Sequence, residues 1–241
     1  MMNREEISRF VDEVNSSTPC IKKEDYDRLF ELINLILLFF EKFFSDKVEK
    51  VKLAIRLSAE WHKGQRRAND VTPYIIHPLE VAEFFVLWRF LIYEVLIIAV
   101  LHDTTEDEDN PRKRTVIRKT IKRHFGRFIA AAVEALSKHR HPALKARYFF
   151  RMMEIERLLL RAIVIIVKTV DRIVNARSFD ELREPGQKEK KIKETREIFP
   201  ALIKVLRETL EKLYKKNRDG RLHPVLASKL QTTLAEIMRR Y

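Results

Sequence analysis

Apolar residues recur at three- and four-residue spacing along nearly the whole chain, the period of helices with one face turned to a core. The spacing predicts helices over residues 4–16 and 24–46, separated by Ser16, Ser17, Thr18 and Pro19. In the second, Leu29, Phe30, Ile33, Leu37, Leu38 and Phe40 form a wide apolar face, which favours packing on the following helices over a dimer seam. A third helix over 47–63 closes on Trp61-His62-Lys63-Gly64-Gln65-Arg66-Arg67, and a polar loop, 68–72, leads to Pro73-Tyr74-Ile75-Ile76-His77-Pro78. Pro78 suits a helix's first turn, with Leu79, Val81, Ala82 and Phe85 inward and His77 at the entrance. Residues 91–100 are so uniformly apolar that they predict a buried helix. A short basic helix follows over 115–124, another from Phe125-Gly126 through Ala130, Val133 and Leu136, and a further one over 144–156 after the break at His141-Pro142. Residues 158–175 are rich in β-branched side chains, yet their length and the lack of neighbouring strand patterns predict a buried helix. A long helix over 188–215, interrupted at Pro200, and a last one over 225–241 complete an all-α chain of about ten helices.

Composition narrows the functional classes. The 241 residues are 46% apolar, enough for a substantial core, and the four glycines all fall between periodic segments. A single cysteine, Cys20, permits no intramolecular disulfide and fits a reducing compartment. The start, Met-Met-Asn-Arg-Glu-Glu, carries no apolar signal region, and the greasy runs are short or interrupted by polar residues. A soluble cytoplasmic protein with no membrane partner is expected. The net charge of +13 favours anionic partners, whether nucleotides, nucleic acid or acidic surfaces. Most basic residues read as solvated faces; two denser clusters are Lys138-His139-Arg140-His141 with Lys145 and Arg147, and residues 188–193. No basic motif interleaved with aromatics is visible, which argues against an RNA module.

The chemistry concentrates in Leu101-His102-Asp103-Thr104-Thr105-Glu106-Asp107, one imidazole and three carboxylates at the end of the greasy helix. If that helix continues, His102 and Glu106 share one face and Asp103 and Asp107 the next. Taken alone, such residues are solvated helix-end charges more often than a site. Two further elements change that balance. His77 stands at a helix entrance, and Asp171 forms a polar stripe with Lys168 and Asn175 on an apolar rod. A buried carboxylate is costly unless paired or metal-bound, so Asp171 either pairs with Lys168 or Arg172 or ligates a metal. His77, His102, Asp103 and Asp171 together make a mixed nitrogen and oxygen set suited to manganese, iron or zinc. Such a metal acidifies a bound water for attack on phosphorus, and Glu106 or Asp107 would take up or orient its proton.

In this order, Gln65-Arg66-Arg67, Pro73 to Ala82, Leu101 to Asp107, Phe125-Gly126 and Lys168-Thr169-Val170-Asp171-Arg172-Ile173-Val174-Asn175 resemble the motifs of HD-domain hydrolases of the RelA/SpoT type. These degrade the alarmones ppGpp and pppGpp. The resemblance covers roughly residues 50–205, extending weakly to 194–202, and implies an HD-domain helical bundle. Residues 1–46 are then an N-terminal helical extension, 47–215 the hydrolase domain and 216–241 a C-terminal helix. It further implies a manganese ion held by His77, His102, Asp103 and Asp171, with Glu106 and Asp107 handling the attacking water. Arg67 would lie against the guanine base, Asn175 near the nucleoside and Lys138 beside the phosphates. The implied reaction is hydrolysis of the 3′-pyrophosphate to GDP or GTP and pyrophosphate. The chain is too short after this region for a synthetase domain, so a hydrolase-only protein is expected. Its loop from Gly64 to Pro73 is about a residue longer than in the long bifunctional enzymes, with Ala68 where they commonly have lysine. Thr169-Val170 and Val174 replace their Leu-Ala and His at packing positions. The altered loop leaves another nucleotide, such as NADPH, as an alternative substrate; a non-catalytic basic module binding RNA or protein is the other alternative.

Overall fold

The computed structural model describes residues 2–105, 110–138, 147–182, 186–217 and 222–241. Among them the chain forms helices α1 (Arg4–Ser17), α2 (Lys23–Phe43), α3 (Val48–Trp61), α4 (Ile76–Leu87), α5 (Tyr93–Leu101), α6 (Pro111–Phe125), α7 (Arg127–Leu136), α8 (Tyr148–Met153), α9 (Leu158–Ala176), α10 (Gln187–Asn217) and α11 (Val225–Met238). Two 3₁₀ turns, Ser45–Lys47 and Phe179–Glu181, complete the elements. Extended pairing among the described residues is limited to one bridge between Arg66 and Pro73. The fold is all-α, and no described helix is long and apolar enough to cross a membrane. The helices group into two compact units, Met1–Ala130 and Ala131–Tyr241.

The first unit is built around α5. Seven consecutive residues, Val95 to Leu101, are wholly buried, so the helix has no solvent stripe. Nine residues are too few for a stable isolated helix, and packing against α3 and α4 supplies what local propensity does not. α2 lies against α1, α3 and α4, burying Leu29, Leu32, Ile33, Ile36, Leu37, Phe39 and Phe40. The helix expected to run to residue 46 stops at Phe43. Phe44 turns away with φ −146° and packs its ring on Phe40, Phe39 and Tyr93, and the 3₁₀ turn then resets the direction for α3. α6 starts earlier than its apolar pattern implied because Asn110 caps it, accepting from the N–H groups of Arg112 and Lys113, with Pro111 in its first turn. It ends at Gly126, whose φ of +91° favours glycine.

In the second unit α9 packs on α8, α10 and α11, which buries nearly all of its β-branched side chains. The helical reading of that segment holds. The expected break at Pro200 does not: α10 runs through it. Proline removes one N–H and frees the carbonyl of Arg196, a single lost rung. Phe199, Leu202, Ile203 and Leu206, all buried, anchor the helix on both sides of the gap. Of the helix expected over 144–156, only Tyr148–Met153 is formed among the described residues, and 144–146 lie outside them.

Candidate metal centre

His77 reaches its place through a tight turn. Ile76 N–H bonds to Pro73 O at 3.2 Å and His77 N–H to Tyr74 O at 3.0 Å, so the chain enters α4 with His77 in the first turn and wholly buried. His102 and Asp103 follow the last residue of α5. The helix was expected to continue through them, but it stops at Leu101, whose carbonyl accepts both the Thr104 N–H, at 3.2 Å, and the Thr104 hydroxyl, at 2.7 Å. Threonine competes here with the next helical rung. The stacking of residues four apart is thus not built across 102–105. Glu106 and Asp107, the expected water-handling pair, lie outside the described residues.

Three donors converge. Asp103 Oδ2 is 3.0 Å from His102 Nε2 and 3.4 Å from His77 Nε2, with the two rings 5.3 Å apart between centroids. Both histidine side chains are 1% exposed and that of Asp103 is 8%. His102 Nδ1 lies 2.8 Å from the carbonyl of Ala99. A carbonyl only accepts, so Nδ1 carries a proton and, in the neutral ring, Nε2 presents a lone pair to a carboxylate that also only accepts. Two lone pairs at 3.0 Å repel unless a proton or a metal cation lies between them. Placing imidazolium on adjacent buried rings is expensive, whereas one divalent cation satisfies all three donors. A second-ring nitrogen bonded to a carbonyl is also the usual outer support of a metal-bound histidine. The residues fit a divalent transition metal.

In the second unit Asp171, 3% exposed, lies midway along α9. Its Oδ2 accepts from Lys168 Nζ at 2.7 Å and its Oδ1 from Asn175 Nδ2 at 2.6 Å. Of the two internal partners considered, Lys168 is the one realised. Arg172 instead pairs with Glu194 and lies over the Phe199 ring. Each carboxylate oxygen keeps lone pairs beyond these bonds, so the pairing is compatible with ligation. Asn175, expected near a nucleoside, spends its amide on Asp171. Lys138 and Lys168 both lie over the ring of Tyr148, at 5.7 and 5.5 Å from its centroid. The basic residues His139, Arg140, His141 and Lys145 fall outside the described residues.

Arg67 is half-buried in an ordered loop. Its N–H bonds to Thr72 O at 2.8 Å and its carbonyl accepts from Asp70 N–H at 2.8 Å, while Asp70 takes a left-handed φ of +60°. Asn69 Oδ1 accepts from the N–H groups of Val71 and Thr72, and Thr72 Oγ1 donates to Asp25 at 3.0 Å. Ala68 is exposed in this loop.

Three residues near the centre were quoted in the sequence motifs without a role: His62, Gln65 and Tyr74. Tyr74 Oη donates to Asp103 Oδ2 at 2.8 Å. His62 lies under Tyr74, with ring centroids 4.7 Å apart, and its Nδ1 bonds Gln65 Oε1 at 2.7 Å. Burial pushes its pKa down to about 4, partly offset by the Gln65 bond and the nearby Asp103 charge. Spacing alone carried no signal for them, because each acts through a loop that folds back.

Comparison with known proteins agrees with this geometry. The HD-domain family matches residues 54–204. A Vibrio cholerae guanosine-3′,5′-bis(diphosphate) 3′-pyrophosphohydrolase is 31% identical over 160 residues, 65% of this chain and 21% of that protein. An Aquifex aeolicus protein of the same name is 36% identical over 160 residues, 64% of this chain and 21% of its own length. The bifunctional (p)ppGpp synthase/hydrolase SpoT of Escherichia coli K12 is 28% identical over 178 residues, 72% of this chain and 24% of its own. The chain thus spans about a fifth to a quarter of the length of these relatives.

Proposed function

The chain belongs to the HD-domain family, and from that premise we propose that it is a manganese-dependent hydrolase removing the 3′-pyrophosphate of ppGpp and pppGpp. Water and ppGpp give GDP and pyrophosphate; pppGpp gives GTP. The observation that carries this reading is the approach of His102 Nε2, its tautomer fixed by the Ala99 carbonyl, to Asp103 Oδ2 at 3.0 Å in a buried pocket of donors. The names and the 28–36% identity of the relatives support the substrate.

In this reading His77, His102, Asp103 and Asp171 hold the metal, with Lys168 and Asn175 orienting Asp171. When bound, the metal acidifies a water and neutralises charge on the phosphoryl oxygens. Glu106 and Asp107 take up and return the water's proton, Arg67 lies against the base, Asn175 near the nucleoside and Lys138 near the phosphates. Residues 47–215 form the catalytic domain, with 1–46 an extension and 216–241 a C-terminal helix; the packing of α2 on α3 and α4 supports an extension that is part of the folded body. The enzyme works in the cytoplasm.

The test is pyrophosphate release from ppGpp by the purified protein with Mn²⁺, beside a chelator control and an NADPH sample. Metal-dependent release from ppGpp is expected. Silence on ppGpp by protein that binds Mn²⁺ in calorimetry overturns the substrate and points to the loop around Ala68. Glu106→Gln should keep the metal and slow turnover by roughly a hundredfold; full turnover would move the proton role to Asp107.

A further inference from the structure

We propose that Tyr74 is a positioning residue of the metal centre, braced by His62 and Gln65 so that its phenol fixes the carboxylate of Asp103. The inference rests on the metal reading above. A carboxylate only accepts, so the 2.8 Å bond from Tyr74 Oη to Asp103 Oδ2 is a donated phenol proton. It falls on the same oxygen that faces His77 Nε2 and His102 Nε2. A carboxylate free to rotate about its χ2 would present either oxygen to the imidazoles; the phenol selects one.

The brace is a closed triangle. Gln65 bonds both partners: its Oε1 accepts from His62 Nδ1 at 2.7 Å, and its backbone carbonyl accepts from the N–H of Tyr74 at 3.1 Å. His62 closes the third side by lying against the Tyr74 ring at 35° between planes. The other ring nitrogen of His62, buried, has no hydrogen-bond partner among the described residues, so Gln65 and the Tyr74 ring set its placement. The side chain is 1% exposed, and burial keeps the ring neutral at ordinary pH. A residue that only filled space there would not need an acceptor aimed at one nitrogen, nor a stack on the one tyrosine that bonds a ligand.

A packing role and a positioning role separate in two measurements, Mn²⁺ affinity by calorimetry and thermal unfolding in chelator. For Tyr74→Phe, which keeps the ring, we expect a Kd raised roughly 10- to 100-fold, the range for outer-shell partners, with metal-free unfolding little changed. His62→Ala should weaken Mn²⁺ in the parent and add nothing in the Tyr74→Phe background, since it acts through that phenol. If His62→Ala does not fold, Gln65→Leu, which frees the ring without leaving a cavity, replaces it. A Tyr74→Phe protein that binds Mn²⁺ as tightly as the parent overturns the proposal. Additive losses in the double variant overturn the brace. A parent chain that binds no Mn²⁺ overturns the metal reading itself, a result distinct from both.

Discussion

Asp103 is the residue on which the centre turns, because both histidine nitrogens and the Tyr74 phenol address its Oδ2. Replacing it with asparagine removes a charge and offers an amide where a cation needs an anion. Asp103→Asn is therefore expected to abolish Mn²⁺ binding in calorimetry and alarmone hydrolysis together; hydrolysis surviving without bound metal would exclude Asp103 as a ligand. His62 carries a separate consequence for pH. Its folded pKa of about 4 lies below the ordinary 6.5, so between those values the unfolded chain binds the extra proton. The stabilisation is complete above pH 6.5 and is lost as pH falls towards 4, by up to about 3 kcal/mol. Urea unfolding in chelator at pH 7, 6 and 5 should show a steeper loss for the parent than for His62→Phe. Parallel slopes would mean that the imidazole is already protonated or hydrated in the fold.

At the scale of elements, α5 sets the position of His102 and Asp103 by being rigid and dry. Leu96 is fully buried within it, and Leu96→Ala should cost about 2–5 kcal/mol through lost burial and the cavity left behind, read from urea unfolding. A cost under 1 kcal/mol would mean that α3 and α4 collapse onto the gap. This element was legible from its unbroken run of apolar residues, as was α9 from the length of its β-branched stretch. The end of α5 was not. No glycine, proline or asparagine marks Leu101 as a stop, and the turn depends on a Thr104 hydroxyl choosing a backbone carbonyl. Pro200 misled in the opposite sense, because a proline reads as a break in sequence whereas the buried side chains around it hold α10 together. Ligand types were legible because imidazoles and carboxylates are few on apolar segments. Their supports were not, since Tyr74 reaches Asp103 across 29 positions only after the loop before α4 has folded back. For Asp171 the sequence left Lys168 and Arg172 open as partners. Packing decides between them, burying the Lys168 ammonium beside the carboxylate and sending Arg172 to Glu194 on α10.

For the whole molecule the net charge of +13 acts at longer range than any of these contacts. An alarmone with two diphosphates is a polyanion, and a cationic protein raises its local concentration and encounter rate. The effect operates through solvent over distances comparable to the Debye length, about 30 Å at 0.01 M and 8 Å at 0.15 M ionic strength, so salt attenuates it. Chemistry inside a buried centre is screened far less. The proposed activity should therefore lose kcat/KM several-fold as an inert salt is raised from 0.01 to 0.15 M, with kcat nearly constant. Steady-state kinetics on ppGpp at fixed Mn²⁺, with calorimetry to verify that the metal stays bound, separates these terms. A salt-independent kcat/KM would confine recognition to the short-range groups of the site, Arg67 and Lys138 among them, and leave the positive surface to another partner. A parallel fall in kcat would instead place an exposed charge in the reacting complex itself.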